Sequence, residues 1–420
     1  MKLYNSKTQT TEEFTLRDHE ITLYVCGITP YDTTHLGHAF TYANYDQLIR
    51  YFELKGIPVR YAQNVTDIDD DILKRAKETG EDWRELGNRW TEHYINDMIA
   101  LNVRPPDDFP RATDVIPDII LSVEALIDAG VAYAKNGSVY FEVKRYPAFG
   151  QLSHLPFNEM LPVANERGNH PDDPNKRYPL DFVLWQAQAP GEPAWDSPWG
   201  PGRPGWHIEC STMATKFLGK TVDIHGGGLD LCFPHHECEI AQIKPTLDQD
   251  PYVRCWMHTA MVGYQGQKMS KSLGNLVMVS DLLKTYSPDT LRLYLGSHHY
   301  RKGWSYNEKD LQKFQDLANN LSQAVAIPAG SGRESEKDGA LSPDEFVRTF
   351  NKSMENDLST PGAVQALAML AQNIVDAAKG RRDVKQAQEM LRKYGMVFGL
   401  TFGSKPPEER VVKGWNAKKR

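Results

Sequence analysis

The chain has 420 residues, a net charge of −7, 40% hydrophobic residues and five cysteines. This length allows two or three domains with ample core, and the composition is that of an ordinary globular protein rather than a disordered one. The sequence has no run of about 18 apolar residues and no apolar N-terminal segment, so we expect neither a membrane span nor a signal peptide. An odd number of widely spaced cysteines favours free or metal-bound thiols in the cytoplasm over a disulfide framework.

The first half of the chain alternates between strand and helix patterns. Apolar runs at 21–28 and 58–65 predict buried strands, and the spacing of apolar residues predicts a helix over 41–55 between them. This βαβ unit implies a parallel sheet with a right-handed crossover. Further elements are expected as helices over 81–101 and 112–129, a strand over 138–143, and sheet strands at 205–210 and 221–224.

The second half is mainly helical. Helices are predicted over 289–295, 308–324, 342–356, 360–378 and 384–398. Residues 330–338 are expected to form an exposed linker, and residues 402–420 are expected to be loosely ordered. The resulting division is the first half of an α/β domain at 1–105, a connective insertion at 106–200, the second half of the α/β domain at 201–280, a helical bundle at 281–400 and a basic tail at 401–420.

Charge is spread unevenly along the chain. Residues 371–420 hold 12 Lys+Arg and 5 Asp+Glu, a local charge of +7, so the remainder carries −14. A basic end on an acidic body is compatible with RNA docking at that end. On charge alone, a solvated helix face followed by a basic tail explains the pattern equally well.

Two short segments carry residues that suit ATP chemistry. Segment 35–38 (His-Leu-Gly-His) follows the first predicted strand, and two histidines three apart can face a triphosphate from the first turn of a helix. Segment 268–272 (Lys-Met-Ser-Lys-Ser) places two lysines three apart among small residues, and lysine suits a pyrophosphate leaving group. Each spacing alone arises often by chance. Together they indicate catalytic and ATP-binding roles for His35, His38, Lys268 and Lys271.

A glycine run follows the strand predicted at 221–224. In a loop, Gly226, Gly227 and Gly228 would let adenosine approach the backbone closely, and Asp230 could accept hydrogen bonds from ribose hydroxyls. A tight turn is the alternative interpretation of such a run.

Four residues form a candidate metal site. Cys26 ends the first predicted strand, and Cys210 ends the stretch 205–210, which we expect to be a strand of the same sheet. His235 and Glu239 are four apart and share one face of a predicted helix. Two thiolates, one imidazole and one carboxylate make an adequate zinc shell, although a single cysteine is more often a small buried hydrophobic residue.

With these motifs in this order, the chain resembles the class I aminoacyl-tRNA synthetases, and within them the branch that activates cysteine. The resemblance implies a Rossmann-like α/β catalytic domain with an inserted subdomain, followed by an all-α helical bundle. It also implies formation of cysteinyl-adenylate from L-cysteine and ATP with Mg²⁺, and one zinc ion held by Cys26, Cys210, His235 and Glu239. Zinc that takes the substrate sulfur would separate cysteine from serine, which a pocket matched in shape does poorly.

The resemblance extends to contacts with the amino acid. Gly27 and Thr66, at the ends of the two first strands, are expected to contact the cysteine substrate, and Trp206 to form a wall of its pocket. A tryptophan is, however, more often part of a core. Residues 69–71 are expected to cap a helix instead. The three other cysteines are expected to be buried, with Cys238 facing away from His235; they are Cys232, Cys238 and Cys255.

The acceptor of the activated cysteine is open between two relatives. Segments 29–32 and 165–176 resemble the mycothiol cysteine ligase, which passes cysteine to the amine of a glucosaminyl-inositol, and the chain ends soon after the helical bundle. Glu239, the segments 228–242 and 357–361, and the basic end resemble the cysteinyl-tRNA synthetases. We favour a compact, monomeric cysteinyl-tRNA synthetase that acts on tRNA(Cys), although no anticodon domain is evident.

Two other interpretations lack this chemistry. A paralogue that only binds RNA or a synthetase would not need the ATP motifs, and all four of their histidines and lysines are present. A nucleotidyltransferase of the same superfamily would keep the ATP motifs but would need no zinc shell.

Overall fold

The computed structural model describes residues 1–31, 34–247, 252–269, 274–328, 339–404 and 415. Within them the strands are β1 (Lys2–Asn5), β2 (Thr10–Glu13), β3 (Ile21–Ile28), β4 (Val59–Val65), β5 (Ala132–Lys135), β6 (Ser138–Phe141), β7 (Phe182–Ala187), β8 (Gly202–Pro204), β9 (Val222–Gly228), β10 (Val253–Thr259), β11 (Val262–Tyr264), β12 (Gln267–Lys268) and β13 (Trp304–Tyr306).

The helices of the described residues are α1 (Leu36–Leu54), α2 (Asp70–Thr79), α3 (Trp83–Ala100), α4 (Ile116–Asp128), α5 (Phe157–Asn165), α6 (Trp206–Leu218), α7 (Glu237–Ile243), α8 (Val279–Leu282), α9 (Pro288–Gly296), α10 (Glu308–Ala326), α11 (Asp344–Met354), α12 (Thr360–Lys379) and α13 (Lys385–Gly395). None of them has the length and apolar character that a transmembrane helix needs.

A four-stranded parallel sheet lies at the centre, in the order β10-β9-β3-β4. α1 connects β3 to its parallel neighbour β4, which confirms the predicted βαβ unit. Because all four strands run the same way, their carboxyl ends meet at one edge, where an open α/β sheet binds ligands. The expected fold class, a Rossmann-like parallel sheet with an inserted subdomain and a helical C-terminal part, is confirmed.

α1 begins earlier than its apolar spacing predicts, at Leu36 instead of residue 41. His35 is the N-cap in an extended conformation, and the Gly37 N–H donates to its Nδ1 at 3.1 Å. A capped first turn therefore extends the helix back to the histidine motif. The predicted cap of the next helix is confirmed, since Asp69 caps α2 by accepting from the Asp71 N–H at 2.8 Å.

The strand predicted at 205–210 is wrong, because Gly205 is the N-cap of α6. Most residues of this helix are buried, polar ones included, among them Glu209 and Ser211. Because polar and apolar side chains are buried alike over residues 208–214, the sequence there lacks the polar–apolar alternation that would reveal a helix.

The glycine loop predicted after residue 224 is also wrong, because β9 continues through Gly228. A Cβ at Gly226 would lie 2.0 Å from the Tyr45 hydroxyl and 2.3 Å from the Met257 carbonyl oxygen. Glycine is required here because α1 and β10 approach the strand closely, not because the chain turns.

The insertion contains an antiparallel sheet, β5-β6-β7-β8, which includes the strand expected at 138–143. The helices expected beyond residue 281 are present as α9 to α13. The domain boundaries drawn from the sequence stay predictions, and the linker at 330–338 lies outside the described residues. In the tail, Trp415 is buried at 5% exposure, with ring contacts to Tyr94 and Phe109, so the expectation of loose order is wrong at this residue.

Each face of the central sheet has its own core. One core joins α1 and β3 to the C-terminal helices, and the other joins β4, α4 and α6 to the insertion sheet. The insertion and the C-terminal helices therefore pack on opposite faces of the sheet, and the site lies at the edge between them.

A buried ion pair between α1 and α9 also contacts the segment that follows α13. Arg292 of α9 is fully buried, pairs with Asp46 of α1, and donates to the Phe398 carbonyl at 2.5 Å. Burial pushes the pKa of Asp46 up, but Arg50 and Arg292 outweigh it and hold that pKa below its ordinary value. The pair therefore stays charged, and each partner depends on the other.

We predict that Arg292→Ala lowers the free energy of unfolding by about 3–5 kcal/mol, because it leaves the Asp46 carboxylate buried without one of its cations. The control is Arg60→Ala, which breaks an ion pair with Asp108 at 3.3 Å in which the arginine side chain is 46% exposed. Its cost should be below about 1 kcal/mol. Urea denaturation followed by tryptophan fluorescence compares the two, and equal losses would contradict the role given to Arg292.

Candidate active site

A cavity of about 1030 Å³ opens at the carboxyl edge of the central sheet. The catalytic strands and helices supply part of its wall, and the insertion supplies another part through residues such as Arg167 and Lys176. Of the residues predicted for the site, those that line the cavity are Cys26, Gly27, His35, His38, Trp206, Gly228 and Asp230.

The two histidines of the first motif lie side by side at the start of α1. Their rings stack with centroids 3.9 Å apart. A Cβ at position 37 would approach the His35 ring to 2.8 Å, so only glycine leaves room for the cap. The N–H of Leu36 donates to the carbonyl of Val277, which ties this motif to the chain that follows the lysine motif.

The lysine motif is described in part. The backbone of Lys268 lies in β12, opposite Gly263 of β11, and Met269 is buried and lines the cavity. Residues 270–273, including Lys271, lie outside the described residues. The predicted roles of both lysines stay predictions.

Gly226 and Gly227 do not line the cavity. A Cβ at Gly227 would lie 2.7 Å from a methyl carbon of Leu231, so this glycine, like Gly226, is packed against protein atoms. Gly228 does line it. Asp230 follows in a 3₁₀ turn, where Arg167 of the insertion donates to its carbonyl and lies 3.6 Å from its carboxylate. The glycine run therefore offers the cavity one residue, not three.

The four predicted metal ligands come together. One ligand atom each from Cys26, Cys210, His235 and Glu239 lies within 4.8 Å of the other three. His235 Nε2 is 3.2 Å from Glu239 Oε1, and Cys26 Sγ is 3.7 Å from the same oxygen. Cys26 comes from the end of β3 as expected, whereas Cys210 comes from α6 rather than from a strand.

A second possible ligand set shares two of these residues. Cys26 and Glu239 also group with His225 and His236 within 4.8 Å, and Cys26 Sγ is 3.2 Å from His236 Nε2. Neither histidine is among the ligands predicted from the sequence. His225 precedes the glycine run on β9 and faces β3, a position that the parallel sheet predicts once β9 is known to be a strand.

Hydrogen bonds between imidazoles hold the histidines in place. His235 Nδ1 is 2.9 Å from His207 Nδ1, and the His235 ring stacks on Trp206 at 4.4 Å. His236 Nδ1 is 2.8 Å from His258 Nε2. Trp206 thus belongs both to the cavity wall and to the support of a candidate metal ligand.

Burial controls the ionisation of this cluster. It raises the pKa of Cys26 and of Glu239 well above their ordinary values, and it lowers the pKa of His235 and His236 well below theirs. It also lowers the pKa of His225 to about 3. Neutral imidazoles are the form that binds metals, whereas the thiolates and the carboxylate need a cation beside them.

The donor set fits a metal ion. All four side chains are at most 5% exposed. Glu239 Oε2 is buried, makes no hydrogen bond among the described residues, and lies 3.4 Å from Nε2 of His225, a member of the second ligand set. Sulfur, imidazole and carboxylate donors in a fourfold set suit zinc or a similar soft divalent ion.

The remaining predicted substrate residues differ in position. Gly27 lines the cavity, and a Cβ there would collide with the Asn64 carbonyl oxygen at 1.6 Å. Thr66 is buried behind the wall, where its hydroxyl accepts from Asn64 at 3.1 Å, and it does not line the cavity. Cys238 and Cys255 are buried as expected, whereas Cys232 is only half-buried.

Sequence comparison identifies two domains. The family model for the class I (C) tRNA synthetase catalytic domain matches residues 12–316, and the DALR domain model matches residues 349–403. The cysteine–tRNA ligase of Thermococcus onnurineus is 41% identical over 415 residues, covering 95% of this chain and 86% of the relative. That of Dehalococcoides mccartyi strain BAV1 is 40% identical over 405 residues, covering 96% and 87%.

Another relative has a different name. The L-cysteine:1D-myo-inositol 2-amino-2-deoxy-alpha-D-glucopyranoside ligase of Thermomonospora curvata is 43% identical over 362 residues, covering 86% of this chain and 85% of the relative. Its match is as high in identity but covers less of the chain.

Solved structures agree on the fold. Methionyl-tRNA synthetase of Mycobacterium tuberculosis with methionyl-adenylate superposes with a TM-score of 0.64 at 15% identity, covering 91% of this chain and 89% of that one. Agrobacterium radiobacter K84 agnB2 LeuRS, in a ternary complex with tRNA and LeuAMS, has a TM-score of 0.64 at 11% identity, covering 96% and 86%. The chain is therefore a member of the class I (C) tRNA synthetase family, with a catalytic domain followed by a DALR domain.

Proposed function

We propose that the protein activates L-cysteine with ATP and transfers it to tRNA(Cys). The observation that carries the proposal is the convergence of Cys26, Cys210, His235 and Glu239 beside the cavity that holds the histidine motif. Relatives named cysteine–tRNA ligase, about 41% identical over most of the chain, support the same function. A cytoplasmic location and a monomeric state stay predictions.

The four ligands would hold one zinc ion, which when bound would supply a soft Lewis acid for the thiolate of the substrate. Gly27 and Trp206 would bound the space for the amino acid, and Trp206 would also keep His235 in position. Thr66 lies behind the wall, so we propose that it acts through Asn64, whose side-chain carbonyl accepts from the Gly27 N–H at 2.8 Å.

ATP, with Mg²⁺, would lie along the start of α1. Gly228 and Asp230 would face the adenosine, with Gly226 and Gly227 shaping the strand beneath, while His35 and His38 would bind the phosphates at a helix N-terminus. The cysteine carboxylate attacks the α-phosphorus, the bond to the bridging oxygen of the β-phosphate breaks, and pyrophosphate leaves. Lys268 and Lys271 would neutralise it. A hydroxyl at the 3′ end of tRNA then attacks the carbonyl carbon and releases AMP.

The amino-sugar is a second candidate acceptor, which the Thermomonospora curvata relative favours. Segment 165–176 adds support, because it resembles that enzyme class and residues 166–170 and 173–176 line the cavity. Glu239 favours tRNA as the acceptor, because a glutamate at this position resembles the cysteinyl-tRNA synthetases and its carboxylate belongs to the proposed ligand set.

We predict that Cys210→Ser loses zinc after dialysis against a chelator, while His225→Asn keeps about one zinc per chain. The reason is that Cys210 belongs only to the proposed set and His225 only to the other. Elemental analysis measures the zinc, and the thiolate-to-cobalt absorption of cobalt-loaded protein reports how many cysteines bind. Retention by Cys210→Ser with loss from His225→Asn would assign the ion to the second set.

We predict that His38→Asn lowers kcat of cysteine-dependent ATP–pyrophosphate exchange by about 10²–10³, because it removes a donor to the transition-state phosphates. KM for cysteine should change by less than about twofold, because an interaction made only in the transition state does not affect the binding of cysteine in the ground state. His19→Asn, at an exposed histidine, is the control and should have no effect. A raised KM for cysteine with unchanged kcat would place His38 in the amino-acid pocket instead.

Supplied with radiolabelled cysteine, ATP and either tRNA or glucosaminyl-inositol, the protein should label tRNA through an ester. Alkali and ribonuclease treatment should release this label. Labelling of the amino-sugar alone, through an alkali-stable amide, would overturn the proposed acceptor while leaving the activation step intact. Absence of cysteine-dependent ATP–pyrophosphate exchange would overturn both the activation step and the proposed acceptor.

A further inference from the structure

A second cleft lies where the N-terminal strand, the segment after α9 and the start of α12 meet. It has a volume of about 510 Å³ and shares no lining residue with the main cavity. We call it the junction cleft, because both the catalytic-domain match and the DALR match contribute to it. Its lining residues are Lys2, Thr11, His299, Arg301, Lys302, Asn356, Asp357 and Ser359.

The carboxylate in this lining is turned inward. Asp357 is 5% exposed and accepts from the Tyr4 N–H at 2.8 Å, the Tyr300 hydroxyl at 2.6 Å and Arg301 Nε at 2.7 Å. The guanidinium of Arg301 also lies 4.2 Å from the Tyr4 ring centre. Asp357 therefore holds Arg301 in place and neutralises its charge, and Oδ2 of Asp357 also lies 3.7 Å from Nε2 of His299.

Two other cations of the cleft stay without close compensation. Lys2 reaches Glu13 only at 3.8 Å, with side chains 56% and 64% exposed, so this contact neutralises little of its charge. Lys302 has no carboxylate within 4 Å among the described residues. The first turn of α12 carries no acidic residue, so its dipole adds to the positive field.

We propose that the junction cleft binds the phosphodiester backbone of tRNA, an inference that rests on the proposed function. The chain as a whole is acidic, with a net charge of −7, so a polyanion is repelled except where positive charge is concentrated. A surface that combines a rigid arginine with two exposed lysines, one of them only weakly paired, suits phosphate oxygens. Because the cleft joins the two domains, bound RNA would lie across both of them.

The test is the double variant Lys2→Gln/Lys302→Gln, which removes the two uncompensated charges and leaves Arg301 and Asp357 intact. We expect tRNA to bind about tenfold more weakly, and the slope of log Kd against log salt to fall by about 1–2, as for loss of one or two phosphate contacts. Fluorescence anisotropy of labelled tRNA measures both. ATP–pyrophosphate exchange should be unchanged, because the cleft is separate from the main cavity.

The matched control is Lys77→Gln/Lys220→Gln, which changes net charge equally at exposed lysines outside both cavities and outside the basic C-terminal segment. Equal weakening in the control would show a general charge effect and overturn the assignment. Unchanged tRNA affinity in the test variant, including a result in which only inorganic phosphate binding is lost, would overturn it too. Failure of the proposed function looks different, since the unaltered protein would then charge no tRNA.

Discussion

The arrangement of the proposed metal site depends on one constraint: thiols and a carboxylate packed together away from water can be anionic only beside a cation. Cys26, Cys210, His235 and Glu239 lie within 4.8 Å of one another and are at most 5% exposed. Burial alone would protonate the thiols and the carboxylate, and such a cluster would be costly. The end of β3, the second turn of α6, and the segment that leads into the first turn of α7 therefore carry side chains that one ion could bind together.

In the proposed function, the same ion would also provide the specificity for cysteine. Cysteine and serine have nearly the same shape, and packing contacts separate such pairs only weakly. A soft ion that contacts the substrate sulfur separates them by chemistry instead of size. Trp206 and the histidine pair of His207 and His235 then have a supporting role, because they fix the orientation of a ligand rather than the outline of a pocket.

Much of this could be predicted from the sequence, and the failures have physical causes. β3, α1 and β4 follow from hydrophobic periodicity, and the ligand residues from their chemistry and the family resemblance. The strand prediction at Cys210 is wrong because polar and apolar residues of α6 are buried alike over 208–214, which hides the helical period. The loop predicted at the glycine run is wrong because Gly226 allows close packing against Tyr45 and does not form a turn. His225 and His236 were missed because only the tertiary fold brings β9 and the turn before α7 to Cys26.

The preference for cysteine over serine in ATP–pyrophosphate exchange, measured on zinc-loaded and on metal-stripped protein, tests the central claim most directly. Recognition of sulfur by a bound ion predicts a kcat/KM ratio above about 10⁴ in the loaded protein, far beyond the roughly 200-fold limit of packing alone, and a collapse of that ratio when the metal is removed. A ratio that stays within the packing limit, or that does not respond to the metal, would contradict it.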